Sequence, residues 1–68
     1  MSKSLSNNIR KLRFEAGEMS QQTLAEKVGV TRQTIIAIEK DKYSPSLEVA
    51  FKISDVFQEP LENIFQYK

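Results

Sequence analysis

Residues 21–38, Gln21-Gln22-Thr23-Leu24-Ala25-Glu26-Lys27-Val28-Gly29-Val30-Thr31-Arg32-Gln33-Thr34-Ile35-Ile36-Ala37-Ile38, constrain the fold more than any other stretch. Leu24, Ala25 and Val28 form one apolar stripe at helical spacing, and Ile35 and Ile38 form a second. Only Gly29-Val30 and a threonine able to cap the second helix separate the two. Helices joined this tightly must cross steeply, and the crossing dictates residue sizes. Ala25 is small where the helices nearly touch. Gly29 supplies a left-handed turn conformation that a β-carbon resists, and Val30 tucks beneath the turn as its apolar plug. The spacing predicts helices over about 21–28 and about 32–40.

The flanks read as further short helices. Leu5, Ile9, Leu12 and Ala16 line one helical face, which predicts a helix from Leu5 to Ala16 with Ser4 or Ser6 as cap and Gly17 as stop. Ser20 caps the second helix, and the polar segment Asp41–Pro45 follows the third. Ser46 caps a fourth helix ending near Gln58, with Leu47, Ala50, Ile53, Ser54 and Phe57 inward and Phe51 flanking. Pro60 suits a helix start, so residues 60–65 read as a fifth, and Gln66–Lys68 as a frayed end or extended tail. Two glycines, both at helix stops, and no β-branched alternation argue against a sheet. The expected fold is all-α: a compact bundle of five short helices forming one domain over residues 1–68. A chain of this size buries only about 60% of its unfolded surface. With no cysteine to staple it, the 40% of apolar residues must be packed efficiently.

The absences narrow the function. Without cysteine or histidine the usual zinc sites and thiolate or imidazole catalysis are excluded. Glu48 and Asp55 share a helix face, but at about 10 Å of rise they read as surface charges rather than a carboxylate pair. No enzyme, cofactor, metal or small-molecule ligand is expected. No apolar run approaches the ~18 residues that span a bilayer, and Met1-Ser2-Lys3-Ser4 lacks the core of a signal peptide. A soluble, cytoplasmic protein with no membrane partner is expected. Net charge is +1, unevenly spread: residues 1–45 hold eight Lys/Arg against five Asp/Glu, residues 46–68 two against four. The basic face therefore belongs to the first part of the chain.

The chain resembles the helix-turn-helix transcriptional regulators of the lambda and 434 repressor, Cro and Xre type, in its minimal single-domain form. The resemblance runs through Ile9-Arg10-Lys11-Leu12-Arg13, Ser20-Gln21, Leu24-Ala25, Gly29-Val30-Thr31-Arg32, Ile35, Ile38-Glu39, Pro45-Ser46 and Leu61–Phe65. Two departures stand out: Glu18 lengthens the turn before the second helix, and Lys40-Asp41-Lys42 replaces the Glu-x-Gly of many members. The resemblance implies sequence-specific binding of double-stranded DNA, with the third helix as the recognition helix. It also implies that Arg13 and Glu39 form a structural pair.

The exposed residues agree with that implication. The first turn of a recognition helix reaches base edges in the major groove, where arginine grips guanine and glutamine grips adenine. Arg32 and Gln33 are the expected readers. Ile36 and Ala37 lie off the buried stripe, and Ile36 suits a thymine methyl. Gln21 and the first-turn amides beside Gln22 suit a phosphate, as do the first-turn residues Thr31 and Thr34. Arg10, Lys42, Tyr43 and Ser44 are further backbone-contact candidates, with Lys3 adding charge. Residues 60–67 hold more apolar side chains than closing the core needs. Val56, Leu61, Ile64, Phe65 and Tyr67 either seal the monomer or form a two-fold interface, and the resemblance favours the homodimer. The expected function is a repressor on an inverted-repeat operator; the alternative is an antitoxin or other protein-interaction module of the same fold.

Overall fold

Three helices begin alike. Ser20, Thr31 and Ser46 each take an extended backbone, and each side-chain oxygen accepts from the amide three residues on, at 3.0, 3.2 and 3.2 Å. Each cap satisfies one of the amides a helix start leaves unpaired and contributes about 1 kcal/mol. The computed structural model describes residues 3–68 in the order β1 (Leu5–Asn7), α1 (Ile9–Glu15), α2 (Gln21–Val28), α3 (Arg32–Glu39), α4 (Leu47–Phe57), α5 (Leu61–Ile64) and β2 (Phe65–Tyr67). Met1 and Ser2, which open the expected domain and the Met1–Ser4 segment, lie outside the described residues.

One core joins all five helices: Ile9 from α1, Leu24, Ala25 and Val28 from α2, Ile35 and Ile38 from α3, Ile53 from α4 and Ile64 from α5. Truncating one of its isoleucines to alanine costs about 2–5 kcal/mol. A chain of this length has only about 3–10 kcal/mol of stability to lose. Ile35 and Ile38 therefore hold α3 firmly, and its remaining faces are set by that anchor. The α2–α3 turn closes on one carbonyl: the N–H groups of Gly29 and Val30 both donate to Ala25, at 2.8 and 3.0 Å. Gly29 has φ 85°, and a Cβ there would meet nothing within 4 Å. Glycine is needed for the torsion, not for space.

The chain ends depart from the all-helical expectation. Leu5 does not open α1; it pairs with Tyr67, and Ser6 and Asn7 pair with Gln66 and Phe65 in an antiparallel two-stranded ribbon. Ser4 and Lys68 extend it with reciprocal backbone hydrogen bonds of 2.9 and 3.1 Å. The helix cannot reach back to Leu5 because the Asn7 side chain accepts from the Ile9 amide at 3.1 Å, ending the helical ladder there. Residues 66 and 67 are accordingly strand rather than frayed tail, and Phe65 belongs to β2 rather than to the fifth helix, which is only Leu61–Ile64 with Pro60 as its cap. Ala16, expected inward, is the exposed cap residue after α1. Leu47, also expected inward, is 69% exposed. It sits in the first turn of α4, and Ala50 and Ile53 carry the buried face of that helix instead.

Candidate nucleic-acid interface

Thr31 and Thr34 shape the start of α3. Thr31 Oγ1 accepts from the Thr34 amide, and the two hydroxyls lie 3.0 Å apart. This cap commits the hydroxyls to one another and leaves Arg32 and Gln33 as the exposed side chains of the first turn. Ile35 and Ile38 are buried, and Ile36 and Ala37 are half-buried at the edge of the outward face. Ile36 thus offers only part of its side chain to a partner, less than a fully outward position would.

Beside α3 lies an open depression lined by Arg10 and Arg13 of α1, Ser20, Gln21 and Gln22 at the start of α2, and Arg32, Ile36, Glu39 and Lys40. Four basic side chains meet one carboxylate there. That carboxylate is engaged: Arg13 donates to Glu39 through Nε at 2.6 Å and through its second terminal nitrogen at 3.1 Å. The other Arg13 nitrogen donates to the Met19 carbonyl at 2.8 Å, so one guanidinium ties α1 both to the turn before α2 and to α3. With Glu39 spent on Arg13, the charge left to the depression is positive. A concave surface of one sign concentrates counter-ions of the other.

Gln21 adds a bond that sequence spacing does not reveal. Its Nε2 donates to Glu39 Oε1 at 3.0 Å, so the carboxylate accepts from α1 and α2 at once. Gln22 instead donates within its helix, to Glu26 at 3.0 Å. Ser20, Gln21 and Gln22 bring the start of α2, the positive end of its helix dipole, to the edge of the depression.

The fold brings together Arg10, Gln21, Gln22, Arg32 and Ile36. Gln33, Ala37, Thr31 and Thr34 share α3 but do not line the depression. Lys42, Tyr43 and Ser44 lie beyond the far end of α3, exposed, with Tyr43 and Ser44 against Leu5, Asn7 and Asp41. Lys40, the residue that caps the end of α3, also lines the depression, a place that sequence spacing does not single out.

The candidates for self-association separate. Leu61 and Phe65 line a largely apolar groove with Leu5, Pro45, Leu47, Ala50 and the single carboxylate Glu62. Ile64 is fully buried in the core and is unavailable to any partner, a correction to its reading as an interface residue. Its helix is one turn long, so closing the core uses the residue that points inward. Val56 lies on another face, beside Phe51 and Lys27. Tyr67 is 67% exposed outside the groove, its ring centroid 5.8 Å from Lys3 Nζ. Leu5 and Leu47, which helical periodicity assigns to the core, line this groove instead. Among the described residues no helix is long and apolar enough to cross a membrane.

Comparison with known proteins gives matches along nearly the whole chain. A family model described as helix-turn-helix matches residues 9–64. An uncharacterized HTH-type transcriptional regulator of Methanocaldococcus jannaschii is 58% identical over 50 residues, covering 74% of this chain and 76% of that protein. One from Bacillus subtilis is 48% identical over 61 residues, covering 90% and 91%. The solved structure of a candidate DNA-binding protein from Bacteroides fragilis superposes with a TM-score of 0.79 at 22% identity, over 91% of this chain and 98% of that one. At that identity the likeness concerns the fold.

Proposed function

Because this chain belongs to the helix-turn-helix family of transcriptional regulators, a family of regulators and not of enzymes, we propose that it binds double-stranded DNA as a homodimer and represses transcription by occupying an inverted-repeat operator in the cytoplasm. The observation that carries this reading is the exposure of Arg32 and Gln33 at the start of α3, beside a depression in which four basic side chains meet one already-paired carboxylate. Phosphates of the DNA backbone sit over Arg10, Lys40 and the first turn of α2, with Gln21 and Gln22 at their edge. These contacts supply affinity and orientation. Thr31 and Thr34, already bonded to each other, serve mainly to fix the helix start. Arg32 and Gln33 then meet base edges, arginine at guanine O6/N7 and glutamine at adenine N6/N7.

Titrating a duplex from 50 to 200 mM salt tests the reading: a protein contacting six or more phosphates loses about a thousandfold in affinity over that range. Binding indifferent to salt, or no binding to duplex at all, would move the function to a protein partner.

Ile36 and Ala37 form the apolar part of the reading surface, and Ile36 is matched to a thymine methyl. Ile36→Asn is expected to erase or change a thymine preference in selected sites, read at a temperature where the variant is folded, since asparagine at this half-buried position lowers the melting temperature as well. An unchanged preference would remove Ile36 from base reading.

Pairing is assigned to the groove whose apolar lining is Leu5, Pro45, Leu47, Ala50, Leu61 and Phe65, with Glu62 as its one charged side chain. A leucine 69% exposed beside such a groove costs hydration free energy that a second copy would recover. Two copies joined there would present their α3 helices to major grooves one turn apart, about 34 Å. Leu47→Glu is expected to convert the dimer to a monomer in sedimentation at unchanged helicity, and to weaken binding to a two-half-site duplex more than to a single half-site. A wild-type protein that sediments as a monomer at micromolar concentration would exclude this arrangement.

A further inference from the structure

One side chain fastens the terminal ribbon to the end of α3. Asn7, the last residue of β1, donates through Nδ2 to the Ile38 carbonyl at 2.8 Å and to the Asp41 carboxylate at 3.0 Å, while its Oδ1 accepts from the Ile9 amide at 3.1 Å. Both amide hydrogens and the carbonyl oxygen are therefore engaged, and the group has one orientation. It grips a strained piece of backbone. Asp41 has φ 59°, in the left-handed region that glycine and asparagine accept more readily. The Asp41 amide donates to Ile38 at 3.0 Å and the Lys42 amide to Ala37 at 2.9 Å, the paired bonds that close a helix on a left-handed residue.

The segment that follows carries Lys42, Tyr43 and Ser44, the exposed backbone-contact candidates beyond α3. The chain leaves α3 through Asp41, and among the described residues the side chain that bonds Asp41 from another element is Asn7, 34 residues away. Glycine at position 41 would relax the torsion but release this hold. An aspartate there makes sense if holding the loop matters more than relaxing it.

We propose that Asn7 is a positioning residue for DNA binding: by fastening Asp41 and the Ile38 carbonyl to β1, it holds the loop after α3 so that Lys42 meets a backbone phosphate. This rests on the DNA-binding reading above.

The test compares Asp41→Asn with Asp41→Gly on a random-sequence duplex, since phosphate contacts do not depend on sequence. Both variants remove the same charge and both accept the left-handed torsion, but only asparagine can still accept from Asn7. The slope of log Kd against log salt is expected to be flatter for Asp41→Gly than for Asp41→Asn by about 0.9 per subunit, about 1.8 for the dimer, the loss of one phosphate contact in each subunit. Adding Lys42→Ala should flatten the slope in the Asp41→Asn background and change nothing in the Asp41→Gly background. Asn7→Ala, checked for folding by its melting curve, should match Asp41→Gly. Equal slopes for the two Asp41 variants, or an equal effect of Lys42→Ala in both backgrounds, would overturn the proposal while leaving DNA binding intact. Wild-type protein that shows no salt-dependent binding would instead defeat the DNA-binding reading, and this inference with it.

Discussion

Replacing Glu39 by alanine is expected to lower the melting temperature by roughly 12 °C or more, before any effect on DNA binding is considered. The Glu39 and Arg13 side chains are 8% and 14% exposed, and the carboxylate accepts from Arg13 twice and from Gln21 once. Removing it leaves a mostly buried guanidinium without its counter-charge, a loss of about 3–5 kcal/mol for a pair of this kind. In a domain this small each kcal/mol moves the melting point by about 4–8 °C. The loss is also a large share of the total stability of a chain this size. Arg13→Ala should cost a similar amount, because each truncation leaves the other charge mostly buried with a single remaining partner, Gln21 for Glu39 and the Met19 carbonyl for Arg13. A Glu39→Ala protein that melts like the wild type but no longer binds DNA would show that Glu39 serves the interface directly rather than holding α1, α2 and α3 together.

The second large effect concerns recognition alone. Arg32→Ala combined with Gln33→Ala should leave melting nearly unchanged, since both side chains are exposed and the Thr31 cap remains. Discrimination between the preferred site and random duplex should fall by about 2–6 kcal/mol, roughly thirtyfold or more, if each residue makes one good bidentate base contact. The salt dependence should persist, because the cations at Arg10 and Lys40 stay in place. A double variant that retains its site preference would make the first turn of α3 a solvated helix start with no role in reading sequence.

What could be read from sequence follows how local each signal is. The starts of α2, α3 and α4 are written in Ser20, Thr31 and Ser46, and the ends of α2 and α4 in Gly29 and the residues before Pro60, all within a few positions of the boundary they set. The exposure of Arg32 and Gln33 follows from the burial of Ile35 and Ile38 on the same helix. The ribbon was illegible because Leu5 fits the helical stripe of α1 as well as it fits a strand, and its partner Tyr67 is at the other end of the chain. Taking Leu5 and Leu47 for core residues hid the apolar groove they line. The bonds of Gln21 to Glu39 and of Asn7 to Asp41 join positions 18 and 34 residues apart, where no spacing rule applies. Asp41 stood out only as a departure at Lys40-Asp41-Lys42, and its left-handed torsion required the backbone to be seen.

Selection of binding sites from randomised duplexes by the wild-type protein at moderate salt tests the central claim most directly. The expected result is enrichment of an inverted repeat whose half-site centres lie one helical turn apart, about 34 Å. Recovery of unenriched sequence, or of a single half-site without its inverted partner, would contradict a dimer that reads DNA through α3.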